Sequence, residues 1–223
     1  MKPIRFRFAP TLSGYLHVGN LRTLLIGRWA CDAFKASLVM RVDDCGWYPD
    51  ELQAALKDHL LRSIEAAEVV LDDTYLWSDL APDAFRLLAS ALDSPAILSL
   101  MKNSQQIRLQ ECVGVAMDQL DHVHTAIRGV DLLVLNTREQ WVVNSIPGWH
   151  MVDTRWCPVV TWNGESISKS GGGLEVEPET TVLEAVKKYG AERLKAALLS
   201  SWLDSPENEG INDWDEIKRR WLE

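Results

Sequence analysis

Residues 4–20 read IRFRFAPTLSGYLHVGN, and this stretch decides the expected fold. The side chains of residues 4–9 alternate in character, as in a β-strand. The PTLSG segment at 10–14 contains proline, serine and glycine, which are typical of a turn. Apolar residues then recur at helical spacing and predict a helix that begins near Gly19: Leu21, Leu24, Leu25 and Trp29.

Outward from this strand–loop–helix unit, residues 37–43 form a short apolar run that predicts a buried parallel strand. Apolar residues four apart predict a further helix over 49–69. Strand, helix, strand, helix is the beginning of an α/β sheet, with a right-handed crossover. The other expected elements are strands at 123–128 and 157–162, and helices at 83–92, 109–120, 137–146, 180–189, 191–203 and 212–222.

These elements predict an α/β fold, with a Rossmann-like parallel sheet, helices on both faces and a small C-terminal helical segment. We expect a nucleotide-binding catalytic domain over 1–175 and a helical segment packed on it over 176–223. Residues 93–108 are less regular and are interpreted as a minimal insertion within the catalytic domain.

The chain of 223 residues has 23 basic and 32 acidic side chains and a formal net charge of −9. Such a charge disfavours indiscriminate binding of polyanions, although a local basic patch could still bind one. No apolar run approaches the roughly 20 residues that span a bilayer, so no membrane partner is expected. The N-terminus has no apolar signal-peptide core, so the cytoplasm is the expected location.

The four cysteines lie far apart along the chain, with no C-x-x-C spacing: Cys31, Cys45, Cys112 and Cys157. We therefore expect neither a disulfide framework nor a zinc site, and no residue is selected as a metal ligand.

Two segments have residue types suited to phosphate chemistry. The loop that ends at His17 leads into a helix, whose backbone N–H groups and positive end attract phosphate, and Gly19 leaves room for a nucleotide. The segment SISKSGGG at 166–173 places Lys169 among small residues, on a loop able to close on phosphates. Taken singly, these segments would more simply be an ordinary turn and a solvated loop.

Together, the motifs resemble class I aminoacyl-tRNA synthetases of the glutamyl type. Residues 7–19 follow that family's Arg-x-Ala-Pro-Ser-Pro-Thr-Gly-x-Leu-His-Ile-Gly, with HVGN at 17–20 as the "HIGH" motif. ISKS at 167–170 stands at the "KMSKS" motif, and RVDD at 41–44 resembles Arg-Ile-Glu-Asp. IRGVDLL at 127–133 resembles the family's Val-Arg-Gly-x-Asp-Leu, and TREQ at 137–140 resembles its Thr-x-Arg-Gln.

The resemblance implies roles for individual residues. His17 and Lys169 would be catalytic, with Lys169 stabilising the departing pyrophosphate. ATP, accompanied by Mg²⁺, would be bound by Pro10, His17, Gly19, Asn20, Gly129, Asp131, Ser168 and Lys169. The amino acid would be bound by Arg7, Ala9, Thr11, Asp43, Gln110 and Arg128, with Arg7 and Arg128 on a carboxylate and Asp43 on the α-amino group.

The chain departs from the family in its length and in its amino-acid pocket. Only residues 93–108 stand where the family has a long tRNA-binding insertion, and no anticodon-binding domain is expected. With its short insertion and no expected anticodon-binding domain, the chain is similar to the short paralogue that glutamylates queuosine in a tRNA anticodon. The pocket substitutions are Thr11 for serine, Asp43 for glutamate, Gln110 for tyrosine, Ala116-Met117-Asp118-Gln119 for Val-Asp-Asp-His, and Ser166 for the first loop lysine.

The resemblance implies ATP-dependent activation of an amino acid, with glutamate or a related acidic amino acid favoured, and without a requirement for RNA. The acceptor is either a tRNA or a small molecule or carrier protein. One alternative is a catalytically degenerate paralogue that binds nucleotide or a partner and regulates. A simple nucleotidylyltransferase shares the His-x-Gly loop, but should lack the Arg-x-Ala-Pro and RG-x-D segments.

Overall fold

The computed structural model describes residues 4–44, 48–92, 109–167, 178–203 and 212–223. Its main sheet is parallel, with the order β3-β2-β1-β4-β5, and the predicted Rossmann-like arrangement is confirmed. A two-stranded antiparallel hairpin, β6–β7, follows the main sheet. The strands are β1 (Arg5–Phe8), β2 (Ser37–Val42), β3 (Asp73–Leu76), β4 (Thr125–Gly129), β5 (Asp153–Cys157), β6 (Thr161–Trp162) and β7 (Glu165–Ser166).

Helices connect the strands and complete the C-terminal part. Two short 3₁₀ turns, Val130–Leu132 and Pro178–Thr180, each precede a helix, and α8 continues as a π-type turn over Lys218–Leu222. The helices are α1 (Val18–Phe34), α2 (Asp50–Ala66), α3 (Trp77–Leu92), α4 (Leu109–Leu120), α5 (Leu133–Ser145), α6 (Val182–Tyr189), α7 (Ala191–Leu203) and α8 (Trp214–Ile217).

One face of the sheet, which we call the apolar face, packs against α1, α2 and the C-terminal helices. Phe6 and Phe8 of β1 point to this side and join the main hydrophobic cluster. A methyl group on Gly27 of α1 would lie 3.2 Å from Ile127 Cγ1 of β4, so α1 approaches the sheet closely there. The cluster also contains Leu21, Leu24, Leu38, Met40, Leu56, Leu60, Val182, Leu198, Trp214 and Ile217.

The opposite face, which we call the arginine face, has buried guanidinium groups beneath α3, α4 and α5. Arg7 of β1 lies beside Val39 of β2 and Ala126 of β4, so alternate side chains of three strands share this side. A second hydrophobic cluster joins the three helices above it and includes Trp77, Leu88, Val113, Met117, Val142 and Ile146. The alternation of β1 thus separates an apolar interior from an ionic one.

The structure corrects several sequence-based boundaries. Sequence analysis misses β3 because it is a short edge strand with exposed Asp73 and Thr74 at its start, and without an apolar run. The strand expected at 157–162 is wrong as one element, since β5 ends at Cys157 and β6 begins at Thr161. The helix expected at 137–146 begins earlier, at Leu133.

The C-terminal helices share the main hydrophobic cluster with the sheet, and Trp214 is fully buried there. The boundary expected near residue 175 lies outside the described residues and stays a prediction. Across the described ranges, no helix has both the length and the apolar character needed to cross a membrane.

Candidate active site

The candidate site lies at the carboxyl ends of β1 and β4, which are neighbours at the centre of the sheet. The chain leaves β1 through α1 towards β2 on one side, while β4 and β5 extend the sheet on the other. Ligands of open parallel sheets bind at such a switch point, outside the carboxyl ends of the strands. The loop that ends at His17 follows β1, and Arg128 and Gly129 are the last two residues of β4.

His17 caps α1 and is 5% exposed. Its Nδ1 accepts a hydrogen bond from the backbone N–H of Asn20 at 3.4 Å. A neutral imidazole that accepts at Nδ1 carries its proton on Nε2, so that nitrogen is a donor. The sequence places a histidine at the cap because its ring nitrogen satisfies one of the N–H groups that every helix leaves unbonded.

Gly19 and Asn20 form the first turn of α1 next to this ring. A Cβ atom on Gly19 would lie 3.0 Å from His17 Nδ1 and 3.4 Å from Val160 Cβ, so only glycine fits there without displacement. The Oδ1 of Asn20 is buried and has no hydrogen-bond partner among the described residues. The helix N-terminus adds a positive electrostatic potential, so this turn is suited to an anionic ligand.

The C-terminal part of the chain holds this loop in place. Val182 donates its backbone N–H to the carbonyl of Leu16 at 3.0 Å, and Thr181 forms a backbone bridge with His17. Arg22 of α1 donates from Nη2 to Pro158 O at 2.8 Å and to Asn212 Oδ1 at 2.7 Å. Burial lowers the pKa of Arg22 to about 10.

On the arginine face, Asp118 of α4 joins two guanidinium groups. Its carboxylate lies 2.8 Å from Arg7 Nε, and its Oδ2 accepts from Arg7 Nη2 at 2.8 Å. Its Oδ1 also accepts from Arg41 Nη1 at 3.0 Å. All three side chains are at most 5% exposed. Arg7, expected to hold a substrate carboxylate, is therefore bound to a carboxylate of the chain itself.

Asp43 lies at the end of β2 in the same cluster. Its Oδ1 accepts from Arg41 Nε at 2.9 Å, and its backbone pairs with the loop at Pro10 and Thr11. Burial raises the pKa of Asp43, although the neighbouring Arg41 guanidinium opposes this effect. Burial disfavours the charged form of Arg41, but Asp43 and Asp118 raise its pKa overall.

Arg128 is also bound to a carboxylate of the chain. Its Nη1 and Nη2 donate to Glu139 Oε2 and Oε1 at 2.7 and 2.6 Å, in a two-pronged arrangement. Glu139 belongs to α5, which also brings Arg138 to Glu111 at 2.7 Å. Burial lowers the pKa of the Arg7 guanidinium, whose surroundings include the charges of Arg128 and Glu139 as well as Asp118 and Arg41. The ionic groups therefore form one electrostatic cluster.

Other expected site residues are located as follows. Gly129 ends β4, Asp131 lies in the following 3₁₀ turn, and Gln110 is near the start of α4. Ala9 directly follows β1. Ser168 and Lys169 lie outside the described residues. Asp44 accepts from the backbone and side chain of Ser78 at 2.9 and 2.7 Å, so it fixes the start of α3.

Three residues that organise the site have no role assigned from the sequence: Arg22, Asp118 and Glu139. Asp118 meets Arg7 across 111 positions of sequence, and no local pattern connects them. Glu139 offers a signal, because an acidic residue stands where the similar Thr-x-Arg-Gln motif has arginine. Within the described ranges, no group of three or more histidine, cysteine, aspartate or glutamate side chains is placed to hold a metal ion.

Comparison with known proteins supports the resemblance. Residues 3–72 match the family model for the catalytic domain of class I tRNA synthetases (E and Q). The glutamate–tRNA ligase of Chlorobium luteolum is 34% identical over 82 residues, which are 37% of this chain and 14% of that ligase. The cytoplasmic glutamate–tRNA ligase of Arabidopsis thaliana is 26% identical over 80 residues, which are 36% of this chain and 11% of that ligase. The chain thus matches only a small part of the length of these relatives.

The fold is similar to that of solved synthetases over almost the whole chain. The glutamate–tRNA synthetase of Elizabethkingia anophelis superposes with a TM-score of 0.68 at 14% identity, covering 97% of this chain and 65% of that one. The tyrosyl-tRNA synthetase of Aeropyrum pernix gives a TM-score of 0.59 at 16% identity, covering 80% and 58%. Sequence similarity in the N-terminal third confirms the resemblance to glutamyl-type class I catalytic domains, and the solved structures show a similar fold over most of the chain.

Proposed function

We propose that this protein activates an amino acid with ATP. The carboxylate oxygen of the amino acid attacks the α-phosphorus, the bond from that phosphorus to the bridging oxygen breaks, and pyrophosphate leaves with the electron pair. The products are an aminoacyl adenylate and pyrophosphate. The observation that carries the proposal is the His17–Gly19–Asn20 turn at the N-terminus of α1, at the carboxyl end of β1 and beside β4.

The residues of that turn fit a nucleotide in three ways. Gly19 has no side chain, so a nucleoside can approach the backbone of this turn closely, whereas a Cβ atom would press on the His17 ring and Val160. The His17 ring lies at the N-cap of α1 beside Gly19, and we assign it to a phosphate of ATP. The buried Oδ1 of Asn20 has no partner among the described residues and suits a ligand donor such as a ribose hydroxyl. Pro10, Gly129 and Asp131 would complete the nucleotide site.

Charge that develops on the leaving pyrophosphate needs stabilisation. We assign this role to Lys169, with Ser168 beside it, on the basis of the ISKS segment. Mg²⁺ would arrive with ATP, bound to its phosphates, and would neutralise their charge.

The amino acid would lie over the arginine face, next to Ala9, Thr11 and Gln110, with its α-amino group towards Asp43. By resemblance to the glutamyl type alone, the expected amino acid is glutamate or a related acidic one, whereas the contacts of Arg128 with Glu139 favour an uncharged one. The activated amino acid then passes to an acceptor, either a tRNA or a small molecule or carrier protein. Because the reaction consumes ATP, the proposal keeps the cytoplasmic location expected from the sequence.

Amino-acid-dependent exchange of pyrophosphate into ATP tests the proposal, with nuclease-treated protein, all common amino acids, and total tRNA either added or omitted. We expect exchange with at least one amino acid and without RNA. An absolute requirement for tRNA would contradict the RNA-independent form of the proposal. A lack of exchange under every condition would contradict the activity itself.

Two variants assign the exchange to the site. Lys169→Ala and His17→Asn should each lower the exchange rate by about 10²–10³-fold, as expected when one donor that stabilises developing charge is lost. Asparagine at position 17 is a good helix cap, so this variant removes the Nε2 donor and keeps the cap. Lys187→Ala is the matched control, because Lys187 pairs with Glu184 on the surface and should leave the rate unchanged.

A further inference from the structure

Three buried guanidinium groups of the arginine face each have a carboxylate partner within the described residues. Arg7 binds Asp118, Arg41 binds both Asp118 and Asp43, and Arg128 binds Glu139. These groups are three cations and three anions, so the cluster is balanced in charge. A substrate with a side-chain carboxylate would bring a fourth anion into it.

Arg128 shows most directly what this balance means for a ligand. Glu139 binds the Nη1 and Nη2 edge of its guanidinium at 2.7 and 2.6 Å. Two parallel N–H···O bonds are the geometry with which an arginine recognises a free carboxylate. The carboxylate of Glu139 therefore occupies this edge of Arg128 and neutralises its charge, so a substrate carboxylate would have to displace Glu139 or add a further anion beside it.

Burial makes exchange of one carboxylate for another unfavourable. The side chains of Arg128 and Glu139 are 9% and 16% exposed. When the pair opens, water can therefore solvate the two charges only slightly, and the lost ion pair is poorly compensated. An uncharged polar side chain places no further charge in the cluster, and it can accept or donate hydrogen bonds at its rim.

Building on the proposed amino-acid activation, we infer that Glu139 is a specificity-determining residue. It neutralises Arg128 and completes the charge balance of the cluster, so the amino acid that this site selects has an uncharged side chain. Removing the charge of Glu139 frees Arg128 and moves the preference towards acidic amino acids.

Pyrophosphate exchange with isosteric amino-acid pairs tests the inference. The kcat/KM values for glutamine and glutamate, and for asparagine and aspartate, are measured in the wild-type protein, in Glu139→Gln and in Glu192→Gln. Glu192 pairs with Lys195 on the surface of α7, so the control makes the same chemical change away from the cluster. Thermal unfolding of each variant verifies that it is folded.

In the wild type, we expect the amide of the preferred pair to exceed its acid by at least about tenfold, since discrimination by unpaired or repelling charge is strong. Glu139→Gln should move this ratio at least about tenfold towards the acid, and Glu192→Gln should leave it unchanged. A wild-type preference for glutamate or aspartate would overturn the inference and leave the proposed activation standing. An unchanged ratio in folded Glu139→Gln would also overturn it. Exchange with no amino acid would overturn the proposed function as well.

Discussion

The side chains of β1 alternate between two faces of the sheet that the chain fills in different ways. Phe6 and Phe8 join a large apolar cluster under α1, α2 and the C-terminal helices. On the other side, Arg7 enters a network of ion pairs under α4. Apolar packing tolerates changes of similar volume, whereas a buried ion pair depends on both partners. The comparison shows that one face supplies stability and the other also fixes the charge offered to a ligand.

The largest expected effect comes from the centre of the arginine face. Asp118→Asn keeps the size of the side chain but removes the charge shared by Arg7 and Arg41. Arg41 then keeps only Asp43, and Arg7 loses its carboxylate, so the free energy of unfolding should fall by about 3–5 kcal/mol. Urea denaturation measures the loss.

Asp58→Asn is the control for that variant, since Asp58 pairs with Arg62 on the exposed side of α2. The control should change the free energy of unfolding by less than about 0.5 kcal/mol. A loss below about 1 kcal/mol in Asp118→Asn would show that ion pairs do not hold the arginine face together.

The apolar face provides the matching prediction. Met40 of β2 is fully buried in the main cluster, and Met40→Ala leaves a cavity that the packed surroundings only partly close. We expect the free energy of unfolding to fall by about 2–5 kcal/mol in urea denaturation. A change of less than about 1 kcal/mol would mean that the apolar face is loosely packed, and the contrast between the faces would not hold.

The reactivity of buried cysteine thiols compares how readily the hydrophobic clusters on the two faces of the sheet open. Burial raises the pKa of Cys31 and Cys112 to about 11 and that of Cys157 to about 12. Since only the thiolate is reactive, iodoacetamide at pH 8 should modify these residues slowly in the native protein. Cys112 belongs to the smaller cluster and should react several-fold faster than the other two, as measured by mass spectrometry. Faster reaction at Cys31 or Cys157 would show that the main cluster opens more readily than the smaller one.

The same pKa shifts set the sign of a pH effect. A thiol whose pKa is higher in the folded protein than in the unfolded chain contributes stability that is fully present below the unfolded value, near 9. This contribution is lost as the pH rises through the folded values of about 11 and 12. The free energy of unfolding should therefore fall from pH 9 upwards, and urea denaturation at pH 8, 9 and 10 measures the slope.

Local patterns are sufficient to predict much of the fold. The alternation over residues 4–9 and the helical spacing that follows predict β1, α1 and the loop between them, because strand and helix periods are local properties. The short edge strand β3 has no such pattern, and it forms because β2 offers a free edge beside it.

The site is only partly accessible from the sequence. Motif resemblance selects Arg7 and Arg128, which lie near the ends of β1 and β4, but it does not reveal that each binds an acidic residue of the chain. The partner of Arg7 comes from α4 and that of Arg128 from α5, and only the packing of these helices on the sheet brings them there. The expectation that Arg7 and Arg128 clamp an acidic substrate stays a prediction. The ion pairs of both arginines favour a substrate with an uncharged side chain.

Binding of stable adenylate analogues tests the central claim most directly, because it probes the nucleotide site and the charge balance in one measurement. The sulfamoyl-adenosine derivatives of glutamine and glutamate differ only in the amide and carboxylate of the side chain. We predict that isothermal titration calorimetry with the wild-type protein gives at least about tenfold tighter binding for the glutamine derivative. Tighter binding of the glutamate derivative, or no binding of either, would contradict the account.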